Sequence, residues 1–161
     1  MAPEARITVF LGDFDSQLQQ IAQIYAVLEK RLQSFNRNPA SPEMVDSTGY
    51  QLHNLYCAYE DLFKLVVGFW ENNVSSNGGF HINILKRMMA EIEGVRPPLI
   101  SAESYSHLDE LRGFRHVFRH AYTYHLDDER VGFLLRRVIA HKECVLTDIN
   151  AFRDKIRNLV K

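Results

Sequence analysis

Residues 52–70 read LHNLYCAYEDLFKLVVGFW, and their apolar side chains recur at steps of three and four. This spacing is typical of one face of an α-helix. Further apolar residues, Leu65, Val67 and Phe69, lie beside that face. We therefore predict a helix from about Glu43 to Asn72 at the centre of the protein, in contact with neighbours on more than one side.

The same spacing predicts four further helices around the central one. The first contains a heptad stripe from Ile7 to Phe35, which is either part of a bundle core or a seam between two chains. A short helix is expected from about Phe80 to Glu93. A fourth helix is capped by Ser101 or Ser104, and the last one runs from a new N-terminus at 126–129 to about residue 158.

These elements predict an all-α fold, an up-and-down bundle of about five helices that are mostly antiparallel because their connections are short. No segment alternates polar and apolar residues for long enough to form a strand. With 161 residues the chain can bury a substantial core, and we expect one domain over residues 1–161.

Composition limits the functional classes. Hydrophobic residues make up 46% of the chain and charged residues 24%, as in a typical globular protein. The formal net charge of −1 argues against a general nucleic-acid coat protein, so any nucleic-acid contact must come from a local patch. Cys57 and Cys144 have no disulfide-framework spacing and predict reduced core thiols. No segment resembles a signal peptide or a membrane span, so we expect a cytoplasmic protein.

A local concentration of cationic groups lies at residues 112–125, RGFRHVFRHAYTYH, which contain no acidic residue. Its arginines are Arg112, Arg115 and Arg119, its histidines are His116, His120 and His125, and its tyrosines are Tyr122 and Tyr124. Arginine fits phosphate oxygens in a bidentate way, and histidine transfers protons in both directions near neutral pH. The stretch indicates either phosphodiester chemistry without a metal or simply a basic, solvated helix face.

One acidic residue of the central helix has two interpretations. Glu60 lies among apolar residues. It either reaches the surface beside Lys64, its partner one helical turn later, or is a buried acid that pairs with an arginine.

The motif Arg115-x-x-x-x-His120-x-Tyr122 on the penultimate long helix resembles that of the HEPN superfamily, and within it the HepT-like toxins of HEPN/MNT toxin–antitoxin modules. Other blocks of the chain resemble the same family in the same order: Tyr56-x-x-x-Glu60, FHINILKRMM at 80–89, EGVRPPLIS at 93–101 and LDELRGFRHVFRHAY at 108–122. His116 departs from the pattern, because many members have asparagine or aspartate there. A looser Arg119/His125 spacing is also present, but the tyrosine after His120 favours the first assignment.

The resemblance implies a metal-independent endoribonuclease that cleaves RNA, possibly tRNA or mRNA. It implies a homodimer with the two motifs facing each other across a cleft. The implied partner is a small MNT-type nucleotidyltransferase antitoxin, which in some systems adenylylates the motif tyrosine, here Tyr122. No cofactor and no DNA partner are expected. The alternative is a catalytically inactive HEPN-like protein that binds a nucleotide or a partner.

RNA cleavage without a metal needs a base for the ribose 2′-hydroxyl, a cation for the charge on phosphorus oxygens and an acid for the leaving 5′-oxygen. We assign Arg115 as the cation and His120 as the acid or base. His116 and Tyr122 are supporting residues. Arg112 and Arg119 are expected to guide the RNA backbone or to pair with acids.

Helical geometry restricts how these groups meet. On a straight helix Arg115 and His120 point about 140° apart. Either the helix tightens or ends near His120, or the two groups of one site come from different chains. His116 and His120 are spaced as metal ligands can be, but residues 112–125 hold no carboxylate, so we predict no metal there.

Overall fold

A computed structural model describes residues 2–37, 39–71, 80–121 and 125–160 of the protein. Within these residues the chain forms six α-helices and no strand, which confirms the all-α helical bundle. The helices are α1 (Pro3–Arg37), α2 (Pro42–Trp70), α3 (Phe80–Met89), α4 (Ala102–Arg119), α5 (Asp128–Ala140) and α6 (Lys142–Arg157), and a 3-10 turn follows at Asn158–Val160. None of the described helices is long and apolar enough to cross a membrane.

Helix α2 is the central element, as its sequence predicts. It packs against α1, α3, α4 and α5. The side chains at its three- and four-residue spacing are fully buried, namely Leu52, Leu55, Tyr56, Tyr59, Leu62, Phe63 and Val66. Each such side chain contributes roughly 1.5–3 kcal/mol of hydrophobic stabilisation as an upper estimate. The helix begins at a serine cap, where the Ser41 hydroxyl accepts the N–H of Met44 at 3.2 Å.

The heptad stripe of α1 belongs to the bundle core. Phe14, Ile21 and Leu28 are fully buried, and α1 packs along α2. The hydroxyl groups of Tyr25 and Tyr59 form a buried hydrogen bond of 2.8 Å between the two helices. Since the apolar face is covered within one chain, the intrachain interpretation of the stripe holds.

The last predicted helix is two helices in the structure. The chain breaks at His141, where ψ is 4°, between α5 and α6. The N–H of His141 still donates to the Arg137 carbonyl at 3.0 Å, so the break is confined to one residue. The apolar stripe continues on both sides, with Leu135 and Val145 buried. The one polar residue in the predicted stripe, Lys142, lies at the break, but a single polar position was not enough to predict a new helix, because the three- and four-residue spacing resumes after it.

A buried ion pair joins the end of α2 to the segment after α3. The Arg96 side chain is 0% exposed and that of Glu71 3% exposed, and their charged atoms lie 2.7 Å apart. Arg96 also donates to the carbonyls of Arg87 and Ala90, which are at the end of α3. Helix α3 therefore ends at Met89, earlier than predicted, because a side chain satisfies its last carbonyls.

The N-terminus of α4 is anchored to α6. Of the two serines expected to cap it, Ser101 is the cap, and its hydroxyl accepts the N–H of Ser104 at 3.2 Å. The backbone N–H of Ser101 and both serine hydroxyls donate to Asp148 at 2.5–2.8 Å. Partial burial raises the pKa of Asp148, but these hydrogen bonds outweigh it and leave the pKa below its ordinary value. These hydrogen bonds therefore hold the start of the helix that carries the motif against α6.

Candidate functional site

Arg115 lies near the end of α4, and His120 directly follows the last residue of that helix. One face of this helix is held in the core, where Leu108, Leu111 and Phe114 are buried. The polar residues of the basic stretch point away from that face: Arg115 is half-buried, and His116, Arg119 and His120 are exposed. The helix packs against α2, so side chains of α2 lie beneath the motif.

Arg115 lies over the ring of Tyr56 on α2. Its guanidinium carbon is 5.9 Å from the ring centroid, within the range of a cation–π contact. Its Nε atom is buried and has no hydrogen-bond partner. In the described part of the chain Arg115 forms no ion pair with any carboxylate. A positioned guanidinium without an anionic partner is suited to receive an oxyanion.

His120 terminates the helix. Its φ and ψ angles are −105° and 5°, and its N–H donates to the carbonyl of Val117 at 3.2 Å. The chain therefore tightens and leaves helical geometry at this residue, which is one of the two options that the sequence left open. The ring of His120 meets the ring of His116 edge to face, with centroids 4.5 Å apart. Two exposed imidazoles thus lie together at the end of α4.

The other two arginines differ in their surroundings. Arg112 donates from Nε to Asp109 at 2.8 Å, so it is engaged in an ion pair on its own helix. Arg119 is exposed and pairs with no carboxylate among residues 2–37, 39–71, 80–121 and 125–160. Of the two residues predicted to bind RNA, Arg119 is therefore the one whose charge is not already paired with a carboxylate of the described chain.

Helix α2 adds a histidine that the motif does not contain. The ring of His53 stacks on Phe118 of α4, with centroids 4.9 Å apart, and its Nε2 atom is 3.6 Å from the sulfur of Cys57. Its Nδ1 atom is buried without a partner. Burial lowers the pKa of His53, and the charges of Arg115 and Arg119 lower it further, so the ring is neutral at pH 7.

Sequence reasoning did not identify His53 as part of this site. The signal available in the sequence was its place one turn before Tyr56, on the face of α2 that carries the Tyr56-x-x-x-Glu60 block. Cys57, predicted as a core thiol, is a free thiol and only half-buried.

Glu60 takes one feature from each of the two interpretations: it is buried, but the cation that it is seen to pair with is Lys64 and not an arginine. The residue is buried, with 3% of its surface exposed. It also pairs with Lys64, its neighbour one turn later, at 3.3 Å. Its charge contributes, after burial, to raising the pKa of the Tyr56 hydroxyl well above the ordinary value, so that Tyr56 stays protonated beneath Arg115.

The remaining predicted residues follow α4. Tyr122 and Tyr124 lie outside the described residues. His125 is exposed, and its Nδ1 atom is 3.2 Å from a carboxylate oxygen of Asp46 near the start of α2. Neither His116 nor His120 belongs to a group of three metal-ligating side chains in the described ranges.

Comparison with known proteins identifies the family of the chain. A family model described as HepT-like protein matches residues 47–156, which is more than half of the chain and extends from α2 into α6. No curated protein gives a significant match. No solved structure gives one either. The chain therefore belongs to the HepT-like protein family of the HEPN superfamily.

Proposed function

We propose that the protein is a metal-independent endoribonuclease and acts as the toxin of a toxin–antitoxin module. The observation that carries this proposal is the guanidinium of Arg115, held over Tyr56 and without a carboxylate partner in the described chain. Exposed His120 and Arg119 follow it at the end of the same helix. Phosphodiester cleavage in the absence of a metal requires a fixed cation and a group that transfers protons, and Arg115 and His120 are of these two types. Membership of the HepT-like family supports the same function.

The proposed reaction is an internal transesterification. A base removes the proton of the ribose 2′-hydroxyl, and the 2′-oxygen attacks the adjacent phosphorus. Arg115 stabilises the negative charge that develops on the phosphorus oxygens. The bond to the 5′-oxygen breaks, and an acid protonates that oxygen. The products are a 2′,3′-cyclic phosphate and a 5′-hydroxyl end.

Two proton-transfer roles require two titratable groups, and the family resemblance assigns them to the two facing motifs of a homodimer. His120 of one chain takes one role, and His120 of a second copy takes the other when the two motifs face each other across a cleft. His116 supports the site, since its ring touches that of His120. Arg119, which pairs with no carboxylate of the described residues, contributes its charge to binding of the RNA backbone.

The family also supports a partner for the protein. We propose an MNT-type nucleotidyltransferase antitoxin that attaches AMP to Tyr122, two residues beyond His120. The added phosphate would pair with Arg115 and Arg119, the groups that RNA needs, and the nucleotide would fill the cleft. Inhibition would then come from occupied cations and from bulk together.

The test of cleavage uses purified protein and total tRNA in EDTA. We expect cleavage to persist and to leave 2′,3′-cyclic phosphate ends. His120→Ala should lower the rate by about 10²- to 10⁴-fold, as for loss of a general acid or base. His125→Ala is the matched control, because His125 is an exposed histidine of the same stretch that contacts Asp46 instead.

Three outcomes would contradict the proposal. Loss of cleavage in EDTA, restored by Mg²⁺ or Mn²⁺, would indicate a metal-dependent nuclease. If His120→Ala and His125→Ala lower the cleavage rate equally, His120 has no specific role in proton transfer. RNA binding without any cleavage would favour the inactive, binding-only alternative.

Light scattering tests the shared site. We expect a dimer at micromolar concentration. A monomer that still cleaves RNA would exclude a site composed of two chains.

A further inference from the structure

A second cluster of reactive side chains lies at the other end of α4. Glu103 and His107 are one turn apart near its start, and Cys144 faces them from the first turn of α6. One ligand atom from each of the three lies within 4.8 Å of the others. His107 precedes Arg115 by eight residues, about 12 Å along the helix axis, so this cluster is separate from the motif.

We propose that Glu103, His107 and Cys144 form a zinc-binding site. Thiolate, imidazole and carboxylate are the three side-chain ligands that Zn²⁺ takes in proteins. In a tetrahedral zinc site with bonds of about 2.0–2.3 Å, the ligand atoms lie roughly 3–4 Å apart. The observed separation needs only a small side-chain adjustment, and the exposed Glu103 can make it.

The state of His107 supports a bound cation. Both of its ring nitrogens are buried and neither has a hydrogen-bond partner among the described residues, while Glu103 lies 4.0 Å from Nε2. Buried polar atoms without a partner are rare and call for an explanation such as an ion. A metal on one nitrogen would satisfy it.

A water molecule would supply the fourth ligand. The ring of His141 lies face to face with that of His107, at a centroid distance of 3.5 Å and an angle of 13°. A metal lies in the plane of each imidazole that binds it, so two parallel rings do not both bind one ion, and His141 is not a member of the ligand group. Zinc sites with three protein ligands commonly keep water in the fourth position, and the exposed Glu103 opens this site to solvent.

The neighbouring polar groups define the ligand set. Asp148 is excluded because it already accepts hydrogen bonds from Ser101 and Ser104. Cys144 is a free, half-buried thiol whose sulfur lies 3.6 Å from the Ser104 hydroxyl. On binding zinc, the Cys144 thiol releases its proton to solvent. The ion would tie the start of α4 to α6.

The test is titration of the full, EDTA-dialysed chain with Co²⁺ and then Zn²⁺. A cysteine ligand gives Co²⁺ a near-ultraviolet charge-transfer band. We expect one Co²⁺ per chain with this band, and displacement by Zn²⁺. Cys144→Ser should abolish the band. Cys57→Ser is the matched control and should retain it, because Cys57 is the other free, half-buried cysteine.

A second variant separates loss of a ligand from loss of the fold. Glu103 has 72% of its side chain exposed, so Glu103→Gln should leave the circular dichroism spectrum unchanged. It should weaken zinc binding by about tenfold or more, since even the loss of an outer partner costs roughly 10- to 100-fold. An absent band, an equal band in Cys144→Ser, or a band lost only in Cys57→Ser would overturn the proposal.

Discussion

Replacement of Arg115 by alanine should separate catalysis from stability. Arg115 makes few contacts in the fold. Its cation–π contact with Tyr56 is worth about 0.5–1 kcal/mol. Its buried Nε has no hydrogen-bond partner among the described residues, so the substitution leaves no such partner unsatisfied. We therefore expect the free energy of unfolding to fall by no more than about 1 kcal/mol. Loss of one group that stabilises an oxyanion typically lowers the rate by about 10²- to 10³-fold, or roughly 2.7–4 kcal/mol.

The two quantities are measured on the same preparation. Urea unfolding followed by circular dichroism gives the stability, and single-turnover cleavage of an end-labelled RNA gives the rate. Arg112→Ala is the matched control, since Arg112 lies one turn earlier on α4 and is already paired with Asp109. It should retain most of the activity. Arg119→Ala should weaken RNA binding, reduce its salt dependence and keep turnover.

Two results would refute this assignment. If Arg119→Ala is inactive and Arg115→Ala is not, the motif is one helical turn out of register. A loss of more than about 3 kcal/mol in the free energy of unfolding of Arg115→Ala would also refute it. Arg115 would then be a structural residue with stabilising contacts beyond the cation–π contact with Tyr56.

Three further predictions concern stability and control. Arg96→Ala should lower the free energy of unfolding by about 1–3 kcal/mol in urea, because it removes the buried donor to Glu71 and to two carbonyls at the end of α3, while Arg87 still pairs with Glu71; a loss below about 0.5 kcal/mol would contradict this. Because burial lowers the pKa of His53, the unfolded chain binds the proton more readily, so stability should decline as the pH falls from about 7 towards 5. His53→Gln should flatten that decline, and an unchanged pH dependence in urea titrations would exclude His53 as its source. Tyr122→Phe should keep part of the cleavage activity and escape covalent inhibition, and mass spectrometry after co-expression with the nucleotidyltransferase should find AMP on Tyr122 of the wild type alone; AMP on another residue would contradict this.

Much of the helical architecture is local and could be predicted. The buried stripe of α2 follows from apolar residues at a period of 3.6, and the start of α4 follows from a capping serine, Ser101. The position of the basic motif near the end of α4 follows from the same pattern. The surface motif residues were also evident as a concentration of charge within one short stretch.

The arrangement around the motif was decided by packing between helices. His53 and Arg115 are 62 positions apart and influence each other only because α2 and α4 pack together. The break at His141 lies inside an apolar stripe whose only interruption is Lys142, and the stack of the His141 ring on His107 depends on the packing of α4 against α6. Periodicity indicates which face of a helix is apolar. It does not indicate which neighbour covers that face, and the contacts that place Arg115 over Tyr56, and Cys144 beside His107, depend on that neighbour.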